Sequence, residues 1–176
     1  MRGQLSTMID AEKMDQRTWI KVKTGDVTIK SETPITSMPS ISNTGKTPAL
    51  HVIGVAVMRV VGTGQDIQPQ DFTYPHGNVL AVGILLPNDS PADFLVYLPD
   101  TARLKDGVPQ PTITTREIFN DIVTNGTSYL ILYGKITYDD AMGDHHWLTF
   151  CGISQTGNKV ETLPIVCLDY NNFDHQ

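Results

Sequence analysis

Asp139, Asp140, Asp144, His145 and His146 bring carboxylates and imidazoles together in one short stretch. Such side chains are the donors of zinc and hard-metal sites. The spacing argues against a shared ion, because adjacent residues on a strand face opposite sides and would separate His145 from His146. No D-x-D-x-D-G run accompanies the acids, so the stretch reads as a solvated acidic hairpin tip, with no metal ligand and no cofactor assigned. Asp139, Asp140, Asp144, His145 and Trp147 are instead taken as a candidate interaction surface, and the Gly62 to Tyr74 stretch as a second.

His51 stands apart, with Arg59 on the same parity of an apolar segment. No second acid–base group is placed near it by sequence, so a paired histidine is expected there rather than a catalyst. Gly62-Thr63-Gly64 lacks the third glycine and the following helix of a dinucleotide fingerprint. Neither a phosphate-cradling loop nor a nucleophile elbow occurs, and no catalytic residue is assigned. Cys151 and Cys167 are the two cysteines, too few for a cysteine-based zinc site. A bridge between them would close about 17 residues and contribute about 3 kcal/mol in an oxidising compartment, while free buried thiols are the alternative.

The elements that must position these residues are mostly strands. TWIKVKTGDVTI alternates until Thr24-Gly25-Asp26, and Ile35 to Ser42 is confined by Pro34 and Pro39 to an edge or irregular strand. Asn43-Thr44-Gly45-Lys46-Thr47-Pro48 is a loop, in which Gly45 would allow a positive φ. The strongest strand follows at Ala49 to Val61, apolar on both parities, as a central strand covered on both faces would be. Asn78 to Leu86 and Ala92 to Leu98 read as two strands that could form a hairpin, and Asp100 to Pro111 as a linker. Thr114 with Glu117 forms a capping box for one helix, about 115–124, which Asn125-Gly126 ends. Ser128 to Tyr138 and His145 to Ile153 are strands around a hairpin loop, and a last strand is expected at about Val160 to Leu168.

About eight or nine short strands with a single helix predict a mainly β fold, an antiparallel sandwich. The 176 residues suit one domain: a polar leader or connector at 1–17, the sandwich at 18–170 and a tail at 171–176. Fourteen glycines and eleven prolines fit the many turns. The net charge is −6, and it divides into +2 over the first thirty residues and −8 over the remainder. An acidic body excludes a general nucleic-acid surface, which needs clustered Lys and Arg. The longest apolar run is interrupted by His51 and Arg59, so no membrane insertion by the chain itself is expected.

Three segments carry a resemblance. Gln16-Arg17-Thr18-Trp19-Ile20-Lys21-Val22, NTGKTPA at Asn43 to Ala49, and YGKITYDDAMGDHHWLTFC at Tyr133 to Cys151 resemble a group of bacterial membrane-anchored proteins of unassigned activity. Those proteins have an immunoglobulin-like extracytoplasmic β-sandwich. The resemblance runs from Gln16 to Cys151 and implies fold and context, not an activity. It implies a periplasmic or extracytoplasmic location if an anchor lies upstream of Met1, and a cytoplasmic one otherwise. The functional expectation is a non-catalytic protein-interaction or scaffold domain, its partner and oligomeric state unspecified. The alternative is a small enzyme or ligand-binding barrel whose pocket would be lined by His51, His76, His145 or the aspartates.

Overall fold

The computed structural model describes residues 17–65, 67–75, 77–154, 167 and 170–174, and strands dominate them. Alternation in TWIKVK gives β1 (Ile20–Lys23), and Gly25 turns the chain at φ +69 into β2 (Val27–Thr28). Pro39 divides the next expected strand into β3 (Thr36–Ser37) and β4 (Ser40–Asn43). The long apolar segment is β5 (Ala49–Gly62), followed by β6 (Asn78–Leu85). Then come β7 (Ala92–Asp93), β8 (Val96–Tyr97), β9 (Pro99–Lys105) and β10 (Val108–Pro111). A short α1 (Arg116–Phe119) leads to β11 (Ser128–Asp139) and β12 (His145–Ser154).

The main sheet has the order β12-β11-β5-β6, antiparallel throughout. Two three-stranded sheets, β1-β4-β7 and β2-β3-β8, supply the opposing strands, and β9 and β10 form a separate hairpin. The layers meet in an apolar core. Ile35, Ile41 and Val96 from the small sheets and their flanks pack with Val52, Ala56, Met58, Leu132 and Ile136 of the main sheet. This is the mainly β, sandwich-like architecture that the alternation predicts.

β5 is covered on both faces over part of its length, as its double apolar parity requires. Ala56 and Met58 face the sandwich core, whereas Val57 and Val61 join a second cluster on the outer face. One departure from simple alternation matters. Ala49 and Val52 differ in parity yet both belong to the inner core, because a bulge intervenes at His51, whose φ is +51. The extra residue shifts the register between Leu50 and Val52 and reverses which parity faces inward.

Other expectations need correction. The 78–86 and 92–98 segments do not form a hairpin: β6 pairs with β5, while β7 and β8 pair with β4 and β3 in the other sheets. The Pro87 to Pro91 connection therefore crosses between layers. The expected linker at 100–111 is the β9–β10 hairpin, turned by Asp106 and Gly107 at φ +53 and +78. Two successive positive φ values are those of the type I′ turn that Asp-Gly favours. The helix is capped by Thr115, whose hydroxyl accepts from the Ile118 amide at 3.2 Å, and it widens into a π turn over Asn120–Thr124. Thr114 is buried and donates to the Thr33 carbonyl instead.

Gly45 does not take the expected positive φ; its role is close approach. A Cβ there would collide with the Arg17 carbonyl and the Trp19 amide. The same loop holds itself through Asn43, which donates to the carbonyls of Thr47 and Leu85 and accepts from the Gly45 amide. The last expected strand, 160–168, lies outside the described residues except for Cys167, which is helical. Among the described residues no helix is long and apolar enough to cross a membrane.

Candidate functional site

The β11–β12 register places Asp139 opposite His145, Tyr138 opposite His146 and Thr137 opposite Trp147. Alternation then sends the two adjacent histidines to different places. His145 joins an exposed group on the outer face, its Nδ1 2.8 Å from Asp139 Oδ1, while His51 Nδ1 lies 2.8 Å from the other carboxylate oxygen. The β5 bulge delivers His51 to this group from across β11. The histidine side chains are 67% and 78% exposed, so Asp139 ties three strands together at the surface rather than in a pocket. The hydrogen bond from His145, then that from His51, holds the Asp139 carboxyl below the usual aspartate range.

Asp140 is turned the other way and buried. Its Oδ1 accepts from the amides of Met142 and Asp144 at 2.8 and 2.9 Å, closing the hairpin turn. Burial pushes its carboxyl up, but the Asp144 amide, the His146 ring and the Met142 amide outweigh this and hold it below the usual range. Asp144 contributes backbone to this turn, and its side chain is exposed at the tip.

His146 occupies a buried network that joins the two ends of the described chain. Its Nδ1 lies 2.6 Å from Asp174 Oδ2 and its Nε2 lies 3.3 Å from Asp140 Oδ2. Arg17 Nη2 donates to the side chain and the carbonyl of Asp174 at 3.2 and 3.3 Å and lies 3.0 Å from His146 Nδ1, which sets a cation beside the Asp174 carboxylate. The guanidinium also lies 5.1 Å from the Trp19 ring centroid, and Trp19 meets Phe173 edge-on. Tyr138 packs along His146 and donates to the Thr18 carbonyl. Burial, reinforced by Asp174, pushes the Tyr138 hydroxyl up to about 12. From sequence, Arg17 falls in a leader 129 residues from His146 and Asp174 in a tail 28 residues from it, and no local pattern connects either with that histidine. A groove of about 440 Å³ beside Trp19 and Phe173 is lined by Tyr138 and Asp174 but not by His146.

The outer face of the main sheet is divided. One half, around Val57, Val61, Ile131 and Tyr133, is covered by Ile67, Phe72 and Tyr74 and by Cys167 and Tyr170. Phe72 stacks on Tyr170 at 4.0 Å and meets Tyr133 edge-on at 5.0 Å; Tyr133 donates to the Thr73 carbonyl. Tyr74 and Tyr170 are hydrogen bonded through their hydroxyls, and burial, with Tyr133 next, pushes Tyr74 up to about 12. A disulfide joins Cys151 to Cys167 with the Cα atoms 5.4 Å apart, fastening this cover to β12. Within the Gly62 to Tyr74 segment, Ile67 and Phe72 are buried against the sheet, whereas Thr63 to Gln65, Gln68 to Asp71 and Thr73 are exposed.

The other half is open among the described residues. Ile53, Val79 and Ile84 are 53%, 75% and 59% exposed there, beside the His51–Asp139–His145 group. Lys135 lies over the Trp147 ring at 5.6 Å. Of the residues singled out from sequence, Asp139, His145 and Trp147 share this face, Asp140 does not, and Asp144 sits at the hairpin tip. A second groove of about 630 Å³ lies near Arg59, Asp71, Thr73 and Pro99. Neither His51 nor His145 lines either groove, and His76 lies outside the described residues.

Fold and site together define a mainly β, antiparallel sandwich whose outer sheet is covered over one half and, among the described residues, open over the other. No family model and no curated protein matches the chain. The crystal structure of Spo0M, a sporulation control protein from Bacillus subtilis, is similar at 9% identity with a TM-score of 0.32. The alignment covers 81% of this chain and 50% of that one, so the chain spans about half the length of that structure.

Proposed function

We propose that this chain is a non-catalytic protein-interaction domain with an immunoglobulin-like sandwich as its scaffold, the extracytoplasmic part of a bacterial membrane-anchored protein. The observation that carries the reading is the half of the outer sheet left open among the described residues, where exposed aliphatic residues share a face with Trp147 and the tied His51–Asp139–His145 group. Clustered exposed apolar side chains on a folded domain are characteristic of partner surfaces. The acid–base residues of the hairpin favour the same reading over an enzyme, because His146, Asp140 and Asp174 are spent on one another in a buried network. The Cys151–Cys167 disulfide supports an oxidising compartment.

The test is photo-crosslinking in source cells with a photoreactive residue at Ile53, compared with one at Leu104 on the β9–β10 hairpin. A discrete heavier species at Ile53, weakened by Trp147→Ala and missing at Leu104, is expected. Equal labelling at both positions would overturn the assignment of this face. Location is tested separately, by alkylating thiols in intact cells with no reductant present: rapid modification of both cysteines counts against export.

A further inference from the structure

β6 closes the main sheet on the side away from β11, and among the described residues no strand pairs with its outer edge. Its sequence, NVLAVGIL, holds no charge and no proline, and its pairing with β5 is regular from Asn78 to Ala81, before a register shift at Val82–Gly83, where Gly83 has φ +81. The direction of its backbone groups follows from its neighbours. Thr137 Oγ1 donates to the Ile53 carbonyl, so Ile53 faces β11, whereas the Ala56 carbonyl is met by the Asn78 side chain on the β6 side. Backbone groups alternate along an antiparallel strand, so Val79 and Ala81, which lie opposite Val55 and Ile53, turn their N–H and C=O groups away from β5. No backbone hydrogen bond reaches these two residues from outside among the described residues.

We infer that the outer edge of β6 accepts an extended, uncharged aliphatic segment of a partner polypeptide, which adds a fifth strand to the main sheet. This rests on the interaction-domain reading and names the partner's form. Main-chain pairing supplies affinity and alternate side chains supply selectivity in such additions. The regular stretch from Asn78 to Ala81 spans about 13 Å, so the added strand pairs with the Val79 and Ala81 groups, while the Leu85 carbonyl is already met by Asn43.

A second copy of the chain fits less well. Val79, Ile84, Leu86 and Ile53 are each half to three-quarters exposed. A Val, Leu or Ile side chain buries on the order of 60–120 Å². The strip therefore offers roughly 150–300 Å² of apolar surface per copy, against about 800 Å² per partner in a stable interface. Each copy also carries −6, so two bodies brought edge to edge repel, whereas a strand flanked by Lys or Arg is attracted.

The probe is a synthetic peptide of six alternating valine and threonine residues with a lysine at each end, added to the full oxidised chain. Saturation is expected to slow hydrogen exchange at the Val79 and Ala81 amides at least tenfold. The same peptide N-methylated at its central residues should lose the effect, because it can no longer donate main-chain bonds. Ala81→Pro removes an outward N–H while leaving the ladder to β5 intact, and should weaken binding about tenfold. Val79→Lys should weaken it through charge on the edge, with circular dichroism verifying that both variants fold. Unchanged exchange at saturation, or equal effect from the N-methylated peptide, overturns strand addition. A dimer of the chain alone that Val79→Lys dissociates also overturns it, assigning the edge to a second copy. The Ile53 crosslink is independent of the peptide, so its survival after a negative peptide result would leave the domain reading standing and remove only this one.

Discussion

Replacing both cysteines, Cys151→Ala with Cys167→Ala, probes the part of the structure that divides the outer sheet into covered and open halves. The bridge spans a sequence separation of 16, and closing a loop of that size in the unfolded chain corresponds to about 3 kcal/mol. For a protein of this length a kcal/mol moves the melting temperature by about 2–4 °C, so the double variant should melt roughly 6–12 °C lower. The damage should also be local. Cys167 and Tyr170 are held against β12 by the bridge, and Tyr170 stacks on Phe72 and meets Tyr133 edge-on. Loosening that cover should reduce the near-ultraviolet dichroism of the aromatic cluster, while the far-ultraviolet strand signal persists. Thermal unfolding followed at both wavelengths reads both effects. Dithiothreitol should reproduce them in the wild-type chain and do nothing further to the variant. If the variant melts within about 2 °C of the wild type with an unaltered near-ultraviolet spectrum, the bridge is not what holds the cover, and the reasoning fails.

Arg17→Met should cost about 3–5 kcal/mol in urea unfolding, because it leaves Asp174 and His146 buried without their cation; a loss below about 1 kcal/mol would show the network to be dispensable. Gly45→Ala should cost about 1–3 kcal/mol, since the loop must move off Arg17 and Trp19 to admit a methyl group, and an unchanged denaturation midpoint would contradict the close approach. Asp139 and Asp140 both have folded carboxyls below their unfolded values, so they add stability above the ordinary carboxylate range that is lost as pH falls through the folded values. Asp139→Asn should therefore flatten the acid limb of the stability profile below about pH 4, and a limb identical to that of the wild type would rule out its part.

Sequence by itself determined the strands of the main sheet and the faces of two of them. In β11, Leu130, Leu132 and Ile136 alternate with Tyr129, Ile131 and Tyr133, and in β12 His146, Leu148 and Phe150 alternate with His145, Trp147 and Cys151. A period of two is a local property of the extended backbone, so it is written in neighbouring residues and can be read there. The same rule separated His145 from His146. The β9–β10 hairpin is different: its prolines read as a linker, and only the pairing of Val108 with Lys105 shows Asp106-Gly107 to be its turn.

Only the tertiary structure decided which chemistry-bearing residues meet. His51 reaches Asp139 because a one-residue bulge breaks the parity of β5, and parity counting cannot anticipate an inserted residue. Arg17 and Asp174 reach His146 because the two ends of the described chain run along the same edge of the sandwich, a relation carried by no local pattern. The free edge of β6 is likewise a matter of strand order. Its eight residues would read the same in the middle of a sheet, and only the order β12-β11-β5-β6 leaves Val79 and Ala81 with no strand on their outer side among the described residues. Alternation is set by bonds between adjacent residues, whereas pairing is set by what else competes for the same backbone groups across the whole fold.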